Sequence, residues 1–505
     1  MVEPTTNGAG RKAGRKRSLS ELLFGPSFRH GVHPPDSKAR TEAVSIRRMP
    51  FPDEIVLPLR QNAGKPAKPI VKVGDRVERG DVLGLAQGYV SVPIHAPAAG
   101  RVKEIGWWPH PDGSMDTAIR IAVDRFNPQL PRPRIVPEWE GLTPDEVRAA
   151  VQEAGVVGLG GAGFPTHVKL NPPEEAPVEL LLINGAECEP YLTSDHRVMV
   201  EYPERVHFGI RVMMQCLGVS RAVIGVENNK PDAIARLRET VPGDLDIEVI
   251  GLTVKYPQGA EKMLIKAVTG REVPSGKLPM HVGAVVQNVG SIAAIAEVFE
   301  TGYPLIERIV TVTGPGIREP RNLVVPVGTK LRDVIDFCGG LTDDATEVIF
   351  GGPMMGLPQA DLDVPIVKGT SGVVVLTEAE SARPTPLPCI HCGRCLDACP
   401  VFLNPQQLGQ LTQLGRYEEA EENHLMDCMV CGSCSYVCPS NIPLSQMFAL
   451  AKGGLRRRKQ RQEREAAEKA EREAAEAAAA EAAQAAQGFA GGVGPGTGEK
   501  EAVRA

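Results

Sequence analysis

Residues 389–400 read CIHCGRCLDACP and residues 428–439 read CMVCGSCSYVCP, the same spacing, C-x2-C-x2-C-x3-C-P, written twice. Two short loops let the first three thiolates converge on one face of an iron-sulfur cube. The fourth, past a longer gap and just before proline, reaches the other cube in two-cluster proteins. The spacing therefore assigns one 4Fe-4S cluster to Cys389, Cys392, Cys395 and Cys438, and another to Cys428, Cys431, Cys434 and Cys399. Zinc ribbons also use C-x2-C pairs, but seldom two successive x2 gaps and almost never in tandem. Disulfides are disfavoured because clustered thiols without a secretory signal point to a reducing compartment. Asn404-Pro405, Tyr417 and Pro443 each open a helical stretch around the cysteines, which predicts a helical two-cluster ferredoxin-type domain over residues 379–452.

At 505 residues, 42% hydrophobic and 23% charged, the chain is long enough for several domains with ordinary cores. A net charge of -6 gives no sign of a nucleic-acid partner. No apolar run reaches the length needed to span a bilayer, which leaves peripheral docking open. Residues 1–27 start with a cluster of Arg11, Lys12, Arg15, Lys16 and Arg17, read as a solvated tail or as a contact for anionic lipid or a partner. Residues 453–505 are rich in Ala, Glu, Arg and Lys and predict a solvated single helix, with Gly488 opening a flexible end.

Between these ends the texture changes three times. Residues 28–137 begin with HGVHPPDSK at His30–Lys38, then become all β, with PIVKVGDRVERGDVLGLAQGYVSVPIHAPAAGRVKEI in the form of a biotinyl/lipoyl-like barrel. The hairpin that would present an attachment lysine reads Gly88-Tyr89-Val90-Ser91-Val92-Pro93, so no swinging cofactor arm is expected. Residues 138–304 alternate strand and helix, as a Rossmann-like parallel α/β domain does, starting with a capping box at Thr143 and Glu146. Residues 305–378 read strand, strand, helix, strand, a small β-grasp module with Cys338 in its helical core stripe. Cys188 and Cys216 also read as core or near-core residues.

Four polar segments in the α/β domain sit at element boundaries, where such folds bind ligands. Gly158-Leu159-Gly160-Gly161-Ala162-Gly163-Phe164 is either a tight turn or a loop whose amides approach a phosphate. Asn184-Gly185-Ala186-Glu187-Cys188-Glu189-Pro190 follows a strand; Tyr256-Pro257-Gln258-Gly259-Ala260-Glu261 and Gln287-Asn288-Val289-Gly290-Ser291 each open a helix. Taken singly, Lys169 and Glu187 read as surface ion-pair residues, and Glu261 as a first-turn acid favoured by the helix dipole.

GLGGAGFPTHVKL, INGAECEP, YPQGAE and VQNVGS, in this order ahead of two ferredoxin runs, make the chain resemble the RnfC family, the C component of the Rnf (Rsx) electron-transport complex, over roughly residues 28–450. That family is similar to the FMN/NADH-binding subunit of respiratory complex I. The resemblance implies noncovalent FMN on Gly158, Gly160, Gly161, Gly163, Lys169, Asn184, Gln287, Asn288 and Ser291. It also implies NAD(H) beside Phe164, Glu187 and Glu261, with the two glutamates as catalytic candidates. Leu159, Ala186 and Ala260 depart from the complex I pattern by replacing polar groups. The implied protein is a peripheral subunit on the cytoplasmic side of a bacterial inner membrane. It passes electrons between NAD(H), FMN and two 4Fe-4S clusters, and works with other Rnf subunits and, through them, with ferredoxin. A microcompartment cobalamin reductase and a non-enzymatic electron-transfer adaptor are the competing readings.

Overall fold

The computed structural model describes residues 25–131, 138–161 and 163–490. The basic N-terminal cluster, most of the proline-rich linker and the chain beyond 490 lie outside the described residues. The chain divides into two compact units, residues 1–406 with 429–445 and residues 407–428 with 446–505.

In the first unit, residues 54–123 form two antiparallel sheets. One has the order Glu54–Pro58, Met115–Val123, Gly100–Pro109, Arg76–Val77; the other is Lys68–Pro69, Val82–Leu85, Ile94–His95. Ile55, Leu57, Leu83, Ile94, Ile119 and Ile121 alternate inward and meet in one core. Gly100 is required there, because any Cβ would strike the Ala122 carbonyl. The lysine-free hairpin is a docking finger: the Tyr89 carbonyl sits 2.8 Å from His167 Nε2, and Asn171 Nδ2 donates to the Tyr89 hydroxyl at 2.9 Å.

The α/β region holds a four-stranded parallel sheet in the order Asp246–Leu252, Arg221–Glu227, Leu180–Gly185, Ala284–Asn288. Thr143 and Glu146 form the expected capping box ahead of the helix Pro144–Glu153, and Gly155 turns the chain out with φ +69. The helix Ser194–Glu201 was not expected from periodicity. It is a short segment set off from Pro203–Leu217 by Tyr202, with Pro203 fixed at the first turn of the second helix.

A six-stranded sheet follows, in the order Ile46–Arg48, Arg321–Pro326, Glu307–Thr313, Gly372–Thr377, Ala345–Phe350, Leu357–Pro358. Leu331, Val334, Ile335 and buried Cys338 cover it. Two of its strands correct the expected strand-strand-helix-strand module. Gly372–Thr377, buried throughout, runs between Glu307–Thr313 and Ala345–Phe350. Ile46–Arg48, from the segment assigned to the barrel, pairs in parallel with Arg321–Pro326. A three-residue strand held by backbone bonds leaves no side-chain period to read.

The cysteine segments of this unit repeat in their backbones as well as their letters. His391 and Val430, Gly393 and Gly432, and Phe402 and Asn441 occupy matching positions of the two copies, and all have positive φ. The short helices Arg394–Ala398 and Ser433–Tyr436 each begin at one of those glycines.

In the second unit, Leu408, Leu411, Ala420, Leu425, Phe448, Ala451 and Leu455 are buried. The helices expected after Pro443 and from Leu455 are one, Leu444–Ala490, its outer part carrying i,i+4 pairs such as Arg461–Glu465. At 47 residues it is about 70 Å long. No helix among the described residues is long and apolar enough to cross a membrane.

Candidate functional site

The strand ends of the parallel sheet open into a cavity of about 560 Å³. Gly158, Gly160, Gly161, Gly163 and Phe164 line one wall, and Lys169, Asn184, Glu261, Gln287 and Asn288 line others. The four polar segments, well separated along the chain, thus converge on one space.

The glycine loop is held from behind. The Leu159 N–H donates to Ser291 Oγ at 2.8 Å, and Arg308 Nη2 donates to the Leu159 carbonyl at 3.2 Å. Ser291, expected among the cofactor-binding residues, is fully buried behind the loop and is not among the residues that line the cavity. The barrel also grips the loop, through the Ala63 N–H on the Gly163 carbonyl at 3.0 Å. Among the described residues no acceptor takes the N–H of Gly160 or Gly161.

Asn288 caps the helix Val289–Thr301 by accepting from Gly290 and Ser291, and its Nδ2 donates to Asp195 at 2.6 Å. Gln287 is buried with its Nε2 unpartnered. Lys169 reaches Glu261 at 2.7 Å and the Val286 carbonyl at 3.2 Å. Free amide donors, an ammonium and the start of a thirteen-residue helix suit an anionic, hydrogen-bonding ligand. The donor set fits a flavin mononucleotide.

Glu187 lies on the wall, but its carboxylate is committed. It accepts from the Asp195 N–H at 2.8 Å, the His196 N–H at 3.1 Å and Ser194 Oγ at 3.2 Å, so it caps the helix Ser194–Glu201. The expected catalytic candidate Glu187 thus stands on the cavity wall with both oxygens engaged at the start of that helix. Glu189, two residues on, was missed and has the freer group. Met354 N–H donates to Oε2 at 3.1 Å while Oε1 has no partner. Burial pushes the Glu189 carboxyl up to about 7. Burial, followed by the neighbouring Glu187 charge, raises Asp195 as well.

For Glu189 the sign is clear. A raised carboxyl costs stability as pH climbs from the ordinary carboxylate range through 7 and costs nothing below it. Glu189→Gln should accordingly gain stability relative to the parent chain at pH 8 and none at pH 4. A carboxyl stretch titrating near pH 7 should vanish from its infrared spectrum.

Tyr256, Met429 and Cys431 complete the cavity on the side of the cysteine runs. Cys188, also on the wall, accepts from the Gly259 N–H at 3.2 Å and packs with Tyr256, Ala398 and Cys431. Cys395 feels the charges of Cys438, Cys389 and Cys392, and Cys399 that of Cys431, so each run's fourth cysteine faces the other run. No three such groups among the described residues close on a single-ion site, and a cube spreads its ligands wider than one ion does. Cysteine sulfur in that cross-paired arrangement fits two cubes.

Comparison with known families matches the chain piece by piece. Residues 26–125 match the RnfC barrel sandwich hybrid domain, 151–297 the Nuo51 FMN-binding domain, 309–358 the SLBB domain and 387–442 the 4Fe-4S dicluster domain. The C component of the proton-translocating ferredoxin:NAD(+) oxidoreductase complex of Clostridium ljungdahlii is 47% identical over 79% of this chain and 88% of its own length. The chain belongs to the RnfC family. Other relatives in the RnfC family include the corresponding component of the Na(+)-translocating ferredoxin:NAD(+) oxidoreductase complex of Acetobacterium woodii, 43% identical over 79% of this chain and 90% of its own. That of the ion-translocating oxidoreductase complex of Rhodobacter capsulatus is 43% identical over 87% and 86%.

Proposed function

We propose that this chain is the NAD(H)-binding peripheral subunit of a membrane-bound ferredoxin:NAD+ oxidoreductase of the Rnf type, docked on the cytoplasmic side of the membrane through other subunits. The observation that carries this reading is a single cavity with a glycine loop, Lys169 and Gln287 on some walls and Cys431 on another. Residues 28–137 serve as a barrel support, 138–304 as the flavin and nucleotide domain, 305–378 as the β-grasp module and 379–452 as the cluster domain.

FMN, when bound, supplies the conversion between two-electron nicotinamide chemistry and the one-electron chemistry of a cube. The free N–H groups of Gly160 and Gly161, with Lys169, would neutralise its anionic groups. Asn184 and Gln287 orient its polar edge. Asn184 is itself oriented, with Nδ2 donating to the Gly259 carbonyl at 2.7 Å. Phe164 and Glu261 form the nicotinamide side, and Glu189 and Asp195 hold protons there. Cys431, Cys434 and Cys399 are buried and Cys431 lines the cavity, so the cluster they share with Cys428 serves the cavity. Cys389 and Cys392 are exposed, as are Leu387, Ile390 and Phe402 of the same segment, apolar side chains suited to a redox partner of the same complex.

Replacing Lys169 tests the binding half of this reading. Lys169→Met removes a charged donor of about 1.5–3 kcal/mol and leaves Glu261 unpaired, so FMN affinity should fall about tenfold or more. Flavin fluorescence titration of the apo-flavin chain reads it directly. Unchanged affinity would remove Lys169 from the flavin site.

A further inference from the structure

We propose that Tyr256 tunes the cavity-side iron-sulfur cluster, its hydroxyl donating to the main-chain carbonyl of Cys431 and holding that cluster's reduction potential above the value set by its cysteines alone. This rests on the reading of Cys431 as a cluster ligand.

Tyr256 is placed for the task from three directions. Tyr256 is among the residues that line the cavity and is 1% exposed, so protein encloses it almost completely. Its hydroxyl lies 2.7 Å from the Cys431 carbonyl, the usual length of a well-formed O–H···O bond. Its backbone is fixed by the segment around Val32, with Val32 N–H on the Tyr256 carbonyl at 2.8 Å and Tyr256 N–H on the Val32 carbonyl at 2.9 Å. The neighbouring Gly31 N–H donates to the Ala398 carbonyl at 3.2 Å, so the same strap holds the tyrosine and the cysteine segment together.

An ordinary phenol, with a pKa of about 10, keeps its proton at neutral pH and is a donor there. Reduction adds one negative charge to a cube in a poorly solvated setting. A donor dipole with its positive end toward a ligand residue favours that charge, and hydrogen bonds near the sulfurs are a principal control of cluster potential. Among the described residues the other copy shows no equivalent. Among the described residues no side chain donates to the carbonyl of Cys392, which matches Cys431 in position and is exposed. The effect is thus confined to one cluster of the two.

The test is an EPR-monitored redox titration of the anaerobically purified full chain, with Cys431→Ser marking which signal belongs to the cavity-side cluster. Tyr256→Phe should lower that cluster's midpoint potential and leave the other unmoved. Incorporating 3-fluorotyrosine at position 256 keeps the shape and strengthens the donor, and should move the same potential upward. A Phe variant that keeps about eight irons with both potentials unchanged would overturn the proposal. So would a shift in the other cluster, or a shift of the same sign from both replacements. An unmodified chain with far fewer irons would instead overturn the assignment of Cys431 as a ligand.

Discussion

Gly160→Ala is expected to strip the chain of flavin while leaving its iron in place. A Cβ at Gly160 would stand 2.6 Å from Asn288 Nδ2, 2.8 Å from its Cγ and 3.0 Å from its Cβ. Asn288 has no slack to yield, since its Oδ1 caps the helix Val289–Thr301 and its Nδ2 is bonded to Asp195. Asn288 must therefore shift, which breaks the cap and moves a group of the flavin wall. FMN affinity should drop about tenfold or more, at roughly 1.4 kcal/mol for each factor of ten, with iron content unchanged because the cysteine runs lie on other segments. Flavin fluorescence and iron analysis of the same preparation separate the two. An alanine variant that binds FMN as tightly as the parent would show that the loop is only a turn.

The second large effect is on stability. Lys230 and Glu227 are almost wholly buried, 3.2 Å apart, with side chains 1% and 2% exposed. Lys230 Nζ also donates to the Ala186 carbonyl at 2.7 Å and to Asn229 Oδ1 at 2.9 Å. Lys38, from the HPPDSK segment, donates to the Glu189 and Leu192 carbonyls of the same loop. Two buried ammoniums thus pin the stretch that carries Asn184, Glu187 and Glu189. Lys230→Met removes the ion-pair partner of buried Glu227 and leaves it the Lys255 N–H and the charge of Lys38; breaking such a pair costs about 3–5 kcal/mol. The urea midpoint should fall sharply, and the double replacement Lys230→Met with Glu227→Gln should restore more than half of the loss. A single variant costing less than about 1 kcal/mol would mean that the pair behaves as a surface ion pair.

What could be read from the chain alone depended on how local each signal was. The two cysteine runs were legible because ligand spacing is fixed by neighbouring residues, and the matching positive φ values at Gly393 and Gly432 arise from that same spacing. The glycine loop and the YPQGAE, INGAECEP and VQNVGS segments were legible as boundaries, and their convergence on one cavity follows from the parallel sheet. Which side chain of a segment faces inward was not legible. Glu187 and Glu189 are two residues apart in a loop where Glu187 takes φ +48, so no period separates the cap from the cavity acid. That Ser291 stands behind the glycine loop was not legible for a similar reason, since one turn of helix decides between wall and support. Ile46–Arg48 and the bond from Tyr256 to Cys431 join residues far apart in the chain, and nothing local to either segment announces them.

One measurement bears most directly on the central claim that a single cavity joins nicotinamide, flavin and cluster. The full chain is purified without oxygen, its flavin and iron are counted, and NADH is added while flavin and cluster absorbance are followed. About one FMN and eight irons per chain, with both signals bleaching, is the predicted result. Eight irons with no flavin and no response to NADH would contradict it and leave the chain an iron-sulfur relay.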